Sequence, residues 1–195
     1  MRTRHLAAAT SAALLVLTAC GGRDAPKAET SSTPTVAPST TEPDAEPSPT
    51  PVIVLKFGEP WAFEGTTDGD AIEGSETVLS YKQGVHSVVT ADEEGGTSGY
   101  EWAALELKTC STKGSFTASN SPWTLSYEDG TRIEPSSSTY DDFPKPEYPF
   151  ETKLTEGKCV RGKVVFAVPG NSRPTTVVYA PYELDTPQEW TVPAK

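Results

Sequence analysis

Residues 160–170, VRGKVVFAVPG, contain the clearest structural signal in the chain. The apolar residues Val160, Val164, Phe166 and Val168 share one parity, and the opposite parity contains the charged residues Arg161 and Lys163. Side chains of a β-strand point alternately to its two faces, so this pattern predicts a strand with one buried face. The Pro-Gly pair at the end of the run marks a turn.

Similar short runs, separated by turn residues, recur through the C-terminal three quarters of the chain. Further strands are predicted near residues 52–57, 79–89, 105–108, 123–127 and 175–179. The sequence Glu128-Asp129-Gly130 predicts a tight hairpin turn after one of these runs. No segment shows a sustained period of 3.6 residues. About seven strands without helices predict an all-β domain over residues 52–195, an immunoglobulin-like two-sheet sandwich.

The chain is acidic, with 27 Asp and Glu against 16 Lys and Arg and a net charge of −11. Nucleic acids and anionic lipid surfaces are bound by clustered cations, so this balance argues against both as partners. We interpret the acidity as a feature that keeps an exported protein soluble.

The first 19 residues have the organisation of a signal peptide, in which basic residues precede the uncharged run 6–17. This run is too short to cross a bilayer as a helix. The sequence Leu17-Thr18-Ala19-Cys20-Gly21 resembles the lipobox of bacterial lipoproteins. The resemblance implies a diacylglycerol on the Cys20 thiol, palmitate-type acyl chains, and attachment to the extracytoplasmic face of the cell membrane. An ordinary signal peptide cleaved nearby is the alternative.

Residues 20–51 are predicted to form a disordered tether between the lipid and the folded domain. Residues 21–50 contain six Pro, six Thr and four Ser, no aromatic residue, and Val36 as their only branched aliphatic side chain. Such a segment buries too little apolar surface to offset the entropy lost on ordering. It is interpreted as a spacer, with mere filler as the alternative, and its composition is also compatible with O-mannosylation.

Cys110 and Cys159 remain once Cys20 is assigned to lipid. Outside the cytoplasm such a pair is expected to oxidise to a disulfide. Cys110 shares its parity with Glu106 and Lys108, and Cys159 is on the polar side of its own strand. We therefore predict a bridge at the periphery of the sheet and not between the two sheets.

Three motifs of the domain resemble an uncharacterised immunoglobulin-like domain of Gram-positive lipoproteins. They are the Trp-Ala-Ala-Leu run 102–105, the Pro-Trp-Thr-Leu run 122–125 and the Gly-x-Cys-x-x-Gly element 157–162. The domain is similar to the family of the mycobacterial immunoprotective extracellular protein. The resemblance implies a small sandwich in an exported protein, and it implies no catalytic residues.

Two types of reactive site were considered. His86 is the only histidine after the signal peptide and is placed on the polar face of a strand, where a solvated side chain is a simpler interpretation than a catalytic base. One histidine and two bridged cysteines cannot make a zinc site. Asp68, Asp70 and Glu73 belong to the acidic, glycine-containing stretch 68–76 and form a weak calcium candidate, with an acidic surface loop as the alternative.

The candidate binding loop is the segment 140–150, in which aromatic residues alternate with prolines. Its aromatic side chains are Tyr140, Phe143, Tyr148 and Phe150. A stiff loop of this kind either presents aromatic faces to a partner or packs inward over the open end of the sandwich. The tryptophans predicted to be core or edge cover are Trp61, Trp102 and Trp190.

Taken together, these features predict a lipid-anchored, non-enzymatic binding or protein-interaction module at the cell envelope. Its expected partners are the membrane, through the N-terminal lipid, and an envelope protein or glycan; no cofactor and no nucleic acid are expected. An enzyme or enzyme accessory acting on the cell envelope is the alternative, and a structural or stress-protective envelope protein is a third.

Overall fold

The computed structural model describes residues 53–182 and 186–194, in which the regular secondary structure is almost entirely β-strand. The strands are β1 (Val54–Lys56), β2 (Pro60–Thr67), β3 (Asp70–Val85), β4 (Tyr100–Lys113), β5 (Ser115–Ser119), β6 (Trp123–Ser126), β7 (Arg132–Ile133), β8 (Glu151–Thr155), β9 (Cys159–Pro169), β10 (Thr176–Tyr179) and β11 (Gln188–Thr191). A short helix, α1 (Ala91–Gly95), lies between β3 and β4.

The strands form three sheets. A four-stranded antiparallel sheet has the order β2-β3-β4-β9, and a five-stranded sheet has the order β1-β11-β10-β6-β7, in which only the β1–β11 pair is parallel. The third sheet is the two-stranded ribbon of β5 and β8. The all-β sandwich prediction is confirmed, although the described residues contain more strands than the seven expected, and a helix.

Residue alternation along β4 and β9 builds one wall of the core. Leu105 and Leu107 of β4 are fully buried, as are Phe166 and Val168 of β9. The opposite wall comes from the five-stranded sheet, whose largest core side chains include Trp190, with 0% exposure. The alternation of apolar residues in 160–168 therefore did mark a strand with one face in the core.

The long strand β3 changes faces twice. Its pairing with β4 shifts register between Val78 and Ser80 and again between Gln83 and Val85. Each of these irregularities inserts an extra residue into β3 and reverses the parity of the residues beyond it. Val78 and Tyr81 can therefore both contact the main core, whereas Val85 packs in a second cluster around Trp102. In the sequence, Leu79, Tyr81, Val85 and Val89 share one parity, which predicts that they lie on one face of a strand. That prediction is wrong, because the register shift after Gln83 places Tyr81 and Val85 on opposite faces.

Candidate functional site

The aromatic side chains of the segment 140–150 point mostly inward. Phe143 is 3% exposed and its ring packs edge-on against Trp102, with ring centroids 5.0 Å apart. Tyr140 packs against both rings, and Tyr148 is 5% exposed in the main core. Of the four, Phe150 is the one that faces solvent, at 47% exposure. Of the two interpretations of this loop, inward packing describes Phe143 and Tyr148, so these two cannot present their faces to a partner.

Hydrogen bonds to two acidic side chains hold this loop in place. The Asp142 carboxylate accepts from the Ser87 hydroxyl at 2.9 Å and from the Val88 N–H at 2.7 Å. Burial opposes ionisation of Asp142, but these hydrogen bonds outweigh it and lower its pKa. The Glu94 carboxylate of α1 accepts from the Tyr140 hydroxyl at 2.5 Å. The loop is therefore fastened both to the segment after β3 and to α1.

His86 lies just beyond the end of β3, and its side chain is exposed. The neighbouring Ser87 is 3% exposed and donates directly to the Asp142 carboxylate. A catalytic triad needs the serine to be bonded to the histidine, and the histidine to the carboxylate. The hydrogen bond between Ser87 and Asp142 therefore holds the loop 140–150 against the segment after β3.

A buried polar cluster surrounds Glu76, which belongs to a stretch that the sequence indicates as an acidic surface loop. Glu76 is 1% exposed and faces the core from β3. The Thr109 hydroxyl donates to Glu76 Oε2 at 2.5 Å, and the Tyr148 hydroxyl lies 2.5 Å from Thr109 Oγ1. Thr109 has one hydroxyl hydrogen, so Tyr148 donates to Thr109 while Thr109 donates to Glu76. Tyr179 makes a further side-chain hydrogen bond to Glu76.

Burial is the largest influence on the pKa of Glu76. Removal from water raises its pKa from 4.5 to about 8, and the hydrogen bonds from Thr109 and Tyr179 only partly oppose this. Glu76 is thus mostly a neutral carboxylic acid at pH 7. Burial also raises the pKa of Tyr148 above its ordinary range. Because the cluster is closed off from solvent, it is part of the core and not a reactive site.

Gly162 explains how Tyr148 reaches this cluster. A Cβ atom at Gly162 would come within 2.4 Å of the backbone of Glu147 and Tyr148, because the segment 147–148 crosses directly over β9 there. Backbone hydrogen bonds hold the crossing, including Tyr148 N–H to the Lys163 carbonyl at 3.0 Å. Only glycine leaves room for this approach. The last Gly of the element 157–162 therefore has a packing role.

The calcium candidate is not supported by the structure. Asp68 and the following glycine form the turn between β2 and β3, and Asp68 adopts a positive φ of 52°. Asp70 and Glu73 belong to β3, and Glu73 forms an ion pair with Lys113 at 2.8 Å. No group of three or more potential metal ligands occurs within residues 53–182 and 186–194. The predicted acidic loop is a β-hairpin, whose extended strands separate these side chains.

The predicted disulfide is present. Cys110 and Cys159 are direct partners in the pairing of β4 with β9, with an S–S distance of 2.01 Å. Cys110 is half-buried and Cys159 is exposed. The bridge therefore joins neighbouring strands on the outer face of one sheet, as the parity of the two residues predicted.

The three tryptophans predicted to be core or edge cover lie in or against the hydrophobic clusters. Trp102 and Trp190 are 2% and 0% exposed, and Trp61 is half-buried against the core. Trp61 packs against Tyr179, with ring centroids 6.1 Å apart. Their predicted assignment as core and edge cover agrees with these positions.

A cleft of about 1010 Å³ opens beside the β2–β3 turn. Apolar side chains that are themselves at most 8% exposed form its floor: Phe63, Ile72, Phe116 and Tyr179. Hydroxyl and charged side chains surround this floor, including Thr67, Thr117, Asp68, Asp70, Lys113, Glu151 and Lys153. An apolar floor with polar groups around it is the usual composition of a binding site. Sequence reasoning missed this cleft, because its residues come from four separated segments.

The N-terminal end of the described chain lies at the same end of the sandwich. The Gln188 side chain donates to the Ile53 carbonyl at 2.6 Å. Gln188 is also paired in register with Tyr179, which lines the cleft. The backbone thus enters the folded domain close to the cleft. The predicted signal peptide, the lipid on Cys20 and the tether 20–51 lie outside the described residues.

The α1 helix has five residues, and no helix in the described part of the chain is long and apolar enough to span a membrane. Its first turn is capped by Thr90 and Glu93, which bond to each other's backbone N–H groups. In the sequence, the acidic and glycine residues 92–96 indicate a solvated turn, whereas in the structure residues 92–95 belong to α1. Hydrogen bonds from Thr90 lower the pKa of Glu93.

No protein-family model and no curated protein sequence matches the chain. Among solved structures, the chain is similar to the crystal structure of MPT63, a secreted protein from Mycobacterium tuberculosis. The TM-score is 0.55 at 18% sequence identity, and the match covers 73% of this chain and 99% of that one. A likeness at this level of identity concerns the fold, and it agrees with the sandwich inferred from the motifs.

Proposed function

We propose that the chain is a lipid-anchored binding module that acts at the extracytoplasmic face of the cell membrane and catalyses no reaction. The observation that carries this proposal is the cleft beside the β2–β3 turn. Its size is at the upper end of the range for ligand sites, and its floor is aromatic. The secreted neighbour MPT63 supports an exported setting.

The proposal moves the binding surface away from the loop 140–150. Phe143 and Tyr148 are committed to packing, whereas the cleft leaves Thr117 and Tyr182 accessible, the latter fully exposed. An envelope protein is the partner that we propose in place of a glycan, because three consecutive residues of the strand β5 line the cleft and a protein segment can pair with a strand.

In-cell photocrosslinking tests this proposal. A photoreactive amino acid is placed at Thr117 in the cleft, at Phe150 in the aromatic loop and at Lys82, which is exposed on the four-stranded sheet. We expect discrete protein adducts from position 117 in intact cells and none from position 82. Adducts confined to position 150 would contradict the choice of surface, and equal labelling from all three positions would contradict a specific binding role.

A further inference from the structure

The ribbon of β5 and β8 has an unused edge. β5 pairs with β8 along residues 115–119 and has no other strand partner among the described residues. Each β-strand carries hydrogen-bonding groups on both edges, and a two-stranded ribbon is only marginally stable by itself. A third strand would therefore find a row of backbone N–H and C=O groups along β5.

The lining of the cleft indicates that this edge faces into it. Ser115, Phe116 and Thr117 are consecutive, and all three line the cleft. Successive side chains of a strand point to opposite faces of its sheet. A cleft that contacts both faces of β5 therefore extends around the edge of this strand. By contrast, β8 contributes only Glu151 and Lys153, which lie on one face.

The end of β2 also lines the cleft, through its residues 65–67, and β2 is an edge strand of the four-stranded sheet. Phe63 of β2 and Phe116 of β5 pack edge-on, with ring centroids 5.3 Å apart, and belong to the apolar floor of the cleft. A strand lying along β5 would point alternate side chains toward this floor.

Charge around the cleft favours a cationic segment. Asp68, Asp70 and Glu151 line the cleft together with Lys113 and Lys153, and Lys113 is already paired with Glu73, so the lining keeps an excess of negative charge. Residues 53–195 carry 22 acidic against 12 basic side chains, so the field of the whole domain has the same sign. An excess of negative charge steers basic partners to such a surface and repels acidic ones.

We propose that the free edge of β5 binds an extended, basic segment of a partner protein as an added strand. This inference rests on the proposed function and names its ligand class. The segment alternates apolar side chains, which contact the Phe63 and Phe116 floor, with Lys or Arg side chains, which face the acidic rim. A five-residue strand would match β5 along its full length.

The test uses the full-length, 15N-labelled chain and a pool of synthetic nonapeptides in which Lys or Arg alternates with Val, Leu or Phe. We expect amide hydrogen exchange at alternate residues of β5 to slow by roughly tenfold or more at saturating peptide. The same peptides with N-methylated backbone amides cannot pair as strands and should bind roughly tenfold more weakly. Peptides with Glu in place of the basic residues should not bind.

A pair of matched variants locates the site. Thr117→Lys places a positive charge on an exposed cleft residue of β5, and we expect it to weaken binding of the basic pool severalfold. Thr155→Lys adds the same charge to an exposed residue of β8 that does not line the cleft, so it should bind like the unmodified chain. Both positions are exposed, so neither substitution should affect folding.

Equal affinity for the N-methylated and unmodified peptides, or equal effects of the two lysine variants, would overturn the strand-addition proposal. So would the absence of any peptide binding at millimolar concentration. If this happened while position 117 still gave discrete adducts in cells, the binding-module proposal would stand and only the ligand class would be wrong. Loss of both signals would reject both.

Discussion

Glu76 gives the domain a specific dependence of stability on pH. Its pKa rises from 4.5 to about 8 in the folded state, because the carboxyl group is buried. Below pH 4.5 the group is protonated in both the folded and the unfolded chain. Between pH 4.5 and 8 the folded chain binds one proton that the unfolded chain has released, so the free energy of unfolding falls as pH rises.

The size of the effect is set by the two pKa values. Each pH unit between them costs about 1.4 kcal/mol of stability, and the whole interval costs on the order of 5 kcal/mol. This stabilisation is fully present below pH 4.5 and is lost as pH rises to about 8. It is a large fraction of the total stability of a domain of this size.

The substitution Glu76→Gln removes the titrating proton and keeps the shape. The amide oxygen can still accept from Thr109, which donates to Glu76 in the native chain. Unfolding by urea, followed by tryptophan fluorescence between pH 5 and pH 8 with the disulfide intact, measures the difference. We expect the native chain to lose about 1.4 kcal/mol per pH unit relative to the variant.

The matched control is Glu64→Gln. Glu64 lies on the neighbouring strand β2 and is exposed, so its neutralisation should leave the native pH dependence in place. Parallel stability curves for the native chain and Glu76→Gln would refute the reasoning, because they would mean that Glu76 ionises with an ordinary pKa in the folded state. A constant offset added to the expected difference in slope would report only the fit of the amide.

Three further outcomes are expected. Gly162→Ala should destabilise the domain by about 1–3 kcal/mol in urea unfolding, since its Cβ meets crossing backbone at 2.4 Å, whereas Gly95→Ala, with nothing within 4 Å, should be close to neutral. Replacing both Cys110 and Cys159 with serine should lower the free energy of unfolding by up to about 4 kcal/mol. Thiol titration of the unreduced chain should find neither of these cysteines free, and two reactive thiols would contradict the bridge. Cys20→Ala should move the protein from the membrane fraction to the medium, and continued membrane association would contradict the lipid anchor.

Local patterning predicted the strands that have one buried and one exposed face. The runs 123–127 and 160–168 alternate apolar and polar residues. The residues of β6 alternate in burial, and those of β9 do so except at Val165, which is buried in the second cluster on the opposite face. The ribbon strands β5 and β8 were not predicted. Each is five residues long: β5 alternates only Phe116 and Ala118 with small polar residues, and β8 has Leu154 as its one apolar residue, so both signals are too short and weak to stand out.

Glu76 could not be identified from sequence because its burial depends on pairing partners far along the chain. The surrounding run of acidic residues and glycines indicates a surface loop when it is considered alone. Pairing with β4 turns Glu76 toward Thr109, 33 residues away, and the crossing loop brings Tyr148 to the same point. Both contacts satisfy polar groups that would otherwise be too costly to bury.

The motif 157–162 shows why a resemblance can indicate the fold and leave the function open. Gly157 adopts a positive φ of 76° in the β8–β9 turn, Cys159 forms the bridge, and Gly162 makes room for the crossing segment. Each of these three residues is thus accounted for by a backbone or covalent constraint of the sandwich. The edge of β5, by contrast, offers backbone groups and depends little on side-chain identity. A binding role at that edge would therefore leave little trace in a sequence motif, and experiments that block backbone pairing are better suited to find it than motif comparison.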